Sequence, residues 1–202
     1  MSKIVRALAL ALGLSIVVSL CGFEGECQEI RDSVLRLHIL ANSDSTEAQA
    51  LKLKVRDAVV EQTAGLFDGV ENEGQARDIA AKTLPEIEKT AQQCVYDAGY
   101  AYPVKAELVD MYFTTRSYDT VTLPAGTYDA VRITIGEAAG QNWWCVVFPP
   151  LCVSAATDAA DMEDVLTEDQ QDIVENKDRY EVRFKIVEWI SSASDWIKKN
   201  FS

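Results

Sequence analysis

The run Asn142-Trp143-Trp144-Cys145-Val146-Val147-Phe148-Pro149-Pro150-Leu151-Cys152 leaves the chain few ways to arrange itself. Its first half is rich in β-branched and aromatic residues, the composition of a buried strand. Pro149 and Pro150 fix their own φ and push Phe148 and Pro149 toward extended geometry, so the strand ends in a rigid turn. The return brings Cys152 toward Cys145. A bond between them would close a loop that the chain-entropy model values at about 2.5 kcal/mol, a large share of the few kcal/mol by which a domain is stable. The cysteine spacing is neither the Cys-x-x-Cys of redox enzymes nor a zinc-ligand spacing, so the residues favour a structural staple. Consecutive strand residues face opposite sides, so one of Trp143 and Trp144 can be core while the other is left for a partner.

The cysteines need an oxidising compartment, and the N-terminus supplies the route. Lys3 and Arg6 precede Ala7–Leu20, a stretch interrupted only by Gly13, Ser15 and Ser19. Its length suits a signal-peptide core and falls short of the roughly 20 residues a spanning helix wants. Ser19 and Cys21 satisfy the small-residue rule for cleavage before Gly22; retention as an uncleaved anchor stays open. Residues 1–22 therefore read as a signal peptide or signal anchor, 23–33 as a linker in which Glu24–Asp32 can form a short helix, and 34–202 as a single exported domain. Leu20 sits where a lipoprotein signal wants a small residue, which disfavours Cys21 as a lipid-bearing cysteine. Four cysteines then remain: Cys145 pairs with Cys152 in the favoured arrangement, and Cys27 and Cys94 pair with each other or stay reduced.

Charge narrows the partners. The chain carries −13, and losing its first 22 residues, which hold two bases and no acid, makes the body more acidic still. Such a surface repels nucleic acid and anionic lipid. With 48% apolar residues, the body can nonetheless bury a core.

In chain order, Val34–Ala41 alternates with Leu35, Leu37 and Ile39 on one face, a strand. Asp44 with Glu47 three residues on has the pattern of a capping box, opening a helix to about Phe67. Its apolar line is Ala48, Leu51, Val55, Ala58, Val59 and Leu66. Gln75–Leu84 and Pro85–Ala98 read as two helical pieces or one kinked helix, with a break at Pro85 and a stop at Gly99. Val104–Phe113, Thr127–Ile135 and Asn142–Phe148 read as strands of an antiparallel meander separated by Leu123-Pro124-Ala125-Gly126 and by Gly136–Gly140. Residues 157–178 hold nine acids against one base, a solvated acidic excursion without EF-hand spacing. Tyr180–Val187 alternates as a last strand, and Trp189–Phe201 closes with an amphipathic helix. The fold class expected is α+β: a mostly antiparallel sheet of about five strands, two to three helices on one face, and one disulfide-stapled hairpin.

Catalytic patterns are lacking. The only histidine, His38, lies inside a strand, and there is no Gly-x-Ser-x-Gly elbow, His-x-x-Glu-His pair or phosphate-binding glycine loop. The expectation is a non-enzyme without metal or cofactor.

Two stretches carry a family resemblance. Arg36-Leu37-His38-Ile39-Leu40-Ala41-Asn42-Ser43-Asp44-Ser45, continuing through Gln49–Asp57, is one. The other is Leu123-Pro124-Ala125-Gly126-Thr127-Tyr128 followed by Ile135-Gly136-Glu137 and the Asn142–Cys152 run. Together they resemble the stage II sporulation protein R family over residues 30 to 153, with Arg183–Glu188 fitting its C-terminal strand. Thr114, where a proline is expected, and Ala138-Ala139, in place of a Gly-Lys type turn, depart from the pattern. The resemblance implies a signal made in the forespore and exported into the space between forespore and mother cell. There it would activate a membrane-embedded aspartic protease of the mother-cell membrane, which processes the pro-form of sigma-E.

The partner would then be that protease, with membrane contact only through the N-terminal segment if it is uncleaved. Candidate contact residues are His38, Asn42, Asp44, Trp143, Trp144, Phe148, Pro149 and Pro150; each also has a reading as a fold determinant. The alternative from another class is an extracytoplasmic module binding the cell wall through a cleft of Trp143, Trp144 and Tyr128. A weaker one is a hydrolase using carboxylates such as Glu137 and Asp129.

Overall fold

The computed structural model describes residues 3–118, 121–150 and 165–201. Strand β1 (Leu35–Leu40) lies inside a four-stranded sheet with β2 (Val104–Phe113), β5 (Gly126–Ile135) and β6 (Asn142–Phe148), in the order β2-β5-β1-β6. β3 (Arg116–Tyr118) and β4 (Val121–Leu123) form a separate small hairpin. β2 and β5 pair antiparallel, as do β1 and β6, but β1 runs parallel to β5. The expected meander is therefore corrected. β5 and β6 are neighbours in sequence, yet β1 is inserted between them. The reason lies in β1 itself: both its faces are buried from Leu35 to Ile39, which suits an interior position.

The two faces of the sheet carry different cores. On one, Leu35, Leu37, Ile39, Val131, Ile133 and Ile135 pack against α2 (Thr46–Thr63) and α3 (Glu73–Asp97). On the other, Phe113, Tyr128, Ala130 and Val146 meet three further helices. These are the end of α1 (Lys3–Asp32), through Phe23, Cys27 and Ile30, then α4 (Glu168–Glu175) and α5 (Lys177–Phe201). Helices thus cover both faces of the sheet, where the pattern predicted one. Each fully buried Leu or Ile contributes about 1.5–3 kcal/mol.

Local differences from the sequence reading have physical causes. Helix α2 is capped by Ser45, whose hydroxyl accepts from the Ala48 N–H at 3.1 Å, in place of the predicted Asp44. Helix α3 runs through Pro85 without ending. Ala76, Ala80, Ile87, Ala91 and Val95 hold it along one buried line, which offsets the roughly 3 kcal/mol that an interior proline costs. Residues 23–32, expected as a linker or short helix, are the last turns of α1. Tyr180–Val187, expected as a strand, is helical within α5.

Within the described part of the acidic excursion, α4 has a capping box of Thr167 and Gln170, and buries Gln170, Ile173 and Val174. Residues 151–164 lie outside the described residues. The expected Cys145–Cys152 staple is not shown among the described residues: Cys145 is disulfide-bonded, but Cys152 lies outside them. Cys27 and Cys94 are free thiols and belong to cores on opposite faces of the sheet.

Candidate functional site

The candidate residues distribute along β1 and β6, and the pairing decides which of them meet. At one end Leu40 opposes Asn142; at the other, Leu35 opposes Phe148. The Asn42–Asp44 corner and the Pro149-Pro150 turn are therefore at opposite ends of the strand pair, about 20 Å apart at the usual rise per residue. The eight candidates form two groups.

The first group is a clasp. Asn42 Oδ1 accepts from the Glu137 N–H at 2.9 Å, and its carbonyl accepts from Ala139 N at 3.2 Å. Asp44 Oδ1 accepts from Gln141 N at 2.7 Å. Between them Gly140 donates its N–H to Ala41 O at 3.0 Å, and a Cβ at Gly140 would overlap the Ser43 carbonyl. Buried Lys52 completes the clasp, reaching Gln49 Oε1 at 2.6 Å and the Gln141 carbonyl at 3.0 Å. Burial pushes its pKa down, opposed by Asp44. Asn42 and Asp44 thus fasten the β1–α2 corner to the β5–β6 turn. Within that turn Ala138 has φ +51°, a left-handed conformation that costs an L-residue about 1–2 kcal/mol.

Next to the clasp, His38 and Trp144 lie opposite each other on β1 and β6. Their rings stack with centroids 4.0 Å apart and planes 4° from parallel. His38 Nε2 is 2.8 Å from Asn142 Oδ1. An amide oxygen only accepts, so the proton sits on Nε2 and Nδ1 carries the lone pair. Nδ1 is buried with no hydrogen-bond partner among the described residues. Burial chiefly, then Arg132 and Arg36, lower the His38 pKa against the opposing Asn142 bond. The imidazole is neutral at pH 7.

Behind this pair stands Arg36, fully buried. Its guanidinium carbon is 4.0 Å from the Phe113 ring centre, 4.8 Å from Tyr128 and 5.5 Å from Tyr118. Nη2 donates to the Tyr118 hydroxyl, while Nε and Nη1 have no hydrogen-bond partner among the described residues. A cation held by three aromatic faces, with two of its three nitrogens unbonded among the described residues, is only partly compensated for its burial. Arg36 was absent from the predicted residues, since strand alternation marks its face but not its depth.

The second group is less accessible. Phe148 is 4% exposed and meets Phe67 edge-on at 6.1 Å; Pro149 is buried and Pro150 half-buried. Trp143 belongs by register to the clasp end, opposite Ile39, but on the face opposite Trp144 it is half-buried under Arg56, whose guanidinium lies 4.4 Å from its ring centre. Tyr128 is 2% exposed and donates its hydroxyl to Pro124 O at 2.6 Å. Trp143, Trp144 and Tyr128 therefore do not line one cleft.

Nor do the two carboxylates weighed for a hydrolase converge: Asp129 is in the first half of β5 and Glu137 lies beyond its end. Asp129 has different company, opposite Asp110 on β2 and 3.1 Å from Arg77 Nε. Its hydrogen bond with Asp129 raises the Asp110 pKa. Burial, then the Asp129 charge, pushes Glu73 up to about 7. Asp129 itself is held low by Asp110 and Arg77 despite burial. No sequence pattern could show this cluster, because it depends on strand register. Among the described residues no three His, Cys, Asp or Glu side chains are placed to hold a metal.

Comparison with known proteins agrees with the motifs. The family model of stage II sporulation protein R matches residues 31–158, which covers β1 through β6. The stage II sporulation protein R of Bacillus subtilis (strain 168) is 34% identical over 183 residues, 80% of this chain and 82% of that protein. No solved structure matches.

Proposed function

The chain belongs to the stage II sporulation protein R family, and from that membership, which gives it a role in sporulation, we propose that it is an exported intercellular signal. It acts in the space between forespore and mother cell, where it binds a membrane-embedded aspartic protease and leads to processing of the pro-form of sigma-E. The observation that carries this reading is the family match across the whole sheet, joined to an N-terminal helix apolar enough to enter an export route. On this reading the body works by binding: a ligand activates only through its higher affinity for the active arrangement of its receptor.

The surface assigned to contact is the end of the strand pair that carries the clasp, with Asn42, Asp44 and the His38–Trp144 stack as its rigid support. Phe148 and Pro149 are too deeply placed for direct contact and act by holding β6 in register. The test is co-expression of the chain, with its export signal, beside the sporulation protease and its pro-sigma substrate in a cell lacking other sporulation proteins. Export-dependent shortening of the substrate supports the reading; an exported, folded chain that leaves the substrate at full length refutes it for that pair.

A further inference from the structure

Helix α5 has apolar residues on two sides. Phe184 and Val187 face the core. At 100° per residue, Val182, Ile186, Trp189, Ile190, Ala193, Trp196 and Ile197 fall within an arc of about 120° on the other side. Val182 is 71% exposed, Trp189 75%, Trp196 59% and Ile197 54%. A helix that only needed to close the core would carry polar residues there.

The neighbour of α5 indicates what covers that side. Its first turns pack on α1 where the apolar run of α1 ends: Phe23 stacks on Tyr180 at 5.6 Å and meets Phe184 edge-on at 5.6 Å, and Arg183 Nη2 lies 3.5 Å from Ser19 Oγ. From Ile4 to Val18, α1 exposes Ile4, Leu8, Leu10, Leu12, Leu14 and Ile16 by half or more, and it is the candidate bilayer span. A bilayer that takes up this run has its surface near Ser19, which places Arg183 at headgroup level. The sign of the charge fits too. Lys177–Phe201 holds six bases against four acids, in a chain whose net charge is −13. Tryptophan beside isoleucine, at Trp189-Ile190 and at Trp196-Ile197, the second pair followed by Lys198-Lys199, is the composition of a helix lying in a membrane interface.

We propose that α5 lies in the plane of the lipid bilayer, with Val182, Trp189, Ile190, Trp196 and Ile197 dipped into the headgroup–acyl boundary, so that the body is held to the membrane by two elements. Arg183 bridges them. The acidic remainder of the body faces water. Because burial of apolar area carries the binding, uncharged phosphatidylcholine is sufficient.

The test uses the full chain in phosphatidylcholine vesicles, with acyl chains brominated near the headgroup as a quencher of tryptophan emission. The intact chain is expected to be quenched. Trp189→Phe with Trp196→Phe should remove most of that quenching, leaving the emission of Trp143 and Trp144, which are held within the body away from lipid. Ile190→Asp with Ile197→Asp, which keeps both tryptophans and the α1 tether, should reduce bromolipid quenching at least twofold. Bromolipid quenching absent from the intact chain, or unchanged in either double variant, overturns the proposal. So does a Trp189 emission that follows protein density instead of lipid, the signature of a second copy on this face.

Discussion

Lowering the pH through the His38 range should remove the stability that a neutral His38 contributes to the fold, and the loss should be traceable to His38. In the folded chain Nε2–H is committed to Asn142 Oδ1 and the ring lies flat on Trp144. A second proton would go to Nδ1, which is buried with no acceptor among the described residues, with Arg132 and Arg36 adding repulsion. The folded pKa is therefore below the ordinary value of 6.5. The unfolded chain takes up a proton as pH falls below 6.5 while the folded chain does not, so stability is greatest above that pH and declines beneath it. One proton sets the steepest slope at about 1.4 kcal/mol per pH unit, and the decline stops once the folded state also protonates. The assay is urea unfolding of the chain at pH intervals from 8 to 5, for the wild type and for His38→Gln. Glu73 works in the opposite sense: its raised pKa of about 7 means that stability falls as pH rises from its unfolded value toward 7. The difference between the two proteins, in which Glu73 cancels, isolates His38. If that difference does not change between pH 7 and 5, the reasoning about Nδ1 is wrong.

Further substitutions probe the packing, each read by the midpoint of chemical unfolding. Gly140→Ala drives a Cβ into the Ser43 carbonyl and should destabilise by more than about 2 kcal/mol, since backbone has to move. Ala138→Gly relieves a left-handed alanine and should stabilise by about 0.5–1 kcal/mol. Ser45→Ala removes the α2 cap and should cost about 1 kcal/mol. At Arg36, methionine should be tolerated better than lysine by at least about 1 kcal/mol. Lysine keeps a buried charge and loses the planar stacking on three rings, whereas methionine removes the unfilled donors.

What the sequence makes legible here is short-range. The alternation of Leu35, Leu37 and Ile39 predicts β1, and all three are in one core. The spacing of Leu51, Val55 and Val59 predicts the docking face of α2. The strand order is not legible, because a period of two says that a strand has two faces and nothing about which strands flank it. Tyr180–Val187 misleads for a definite reason: a helix with apolar residues on both its core side and its outer side places them at nearly alternate positions, and Val182, Phe184 and Ile186 mimic a strand. Within the candidate site, Trp143 and Trp144 are correctly assigned to opposite faces. The partners that fix their environment, Arg56 and His38, come from other segments and need the fold to bring them near.

The insertion of β1 between β5 and β6 has a kinetic consequence. The strand is among the earliest parts of the body to be synthesised, yet its partners Ala130 and Val146 follow roughly a hundred residues later, and closing so long a loop delays pairing. Until they emerge, β1 has no edge to join, and an N-terminal portion of the chain cannot complete the sheet. On the export route proposed above, such an order of events is an advantage: the chain would stay threadable while crossing and acquire its central strand pairings only after nearly all of it had arrived on the far side.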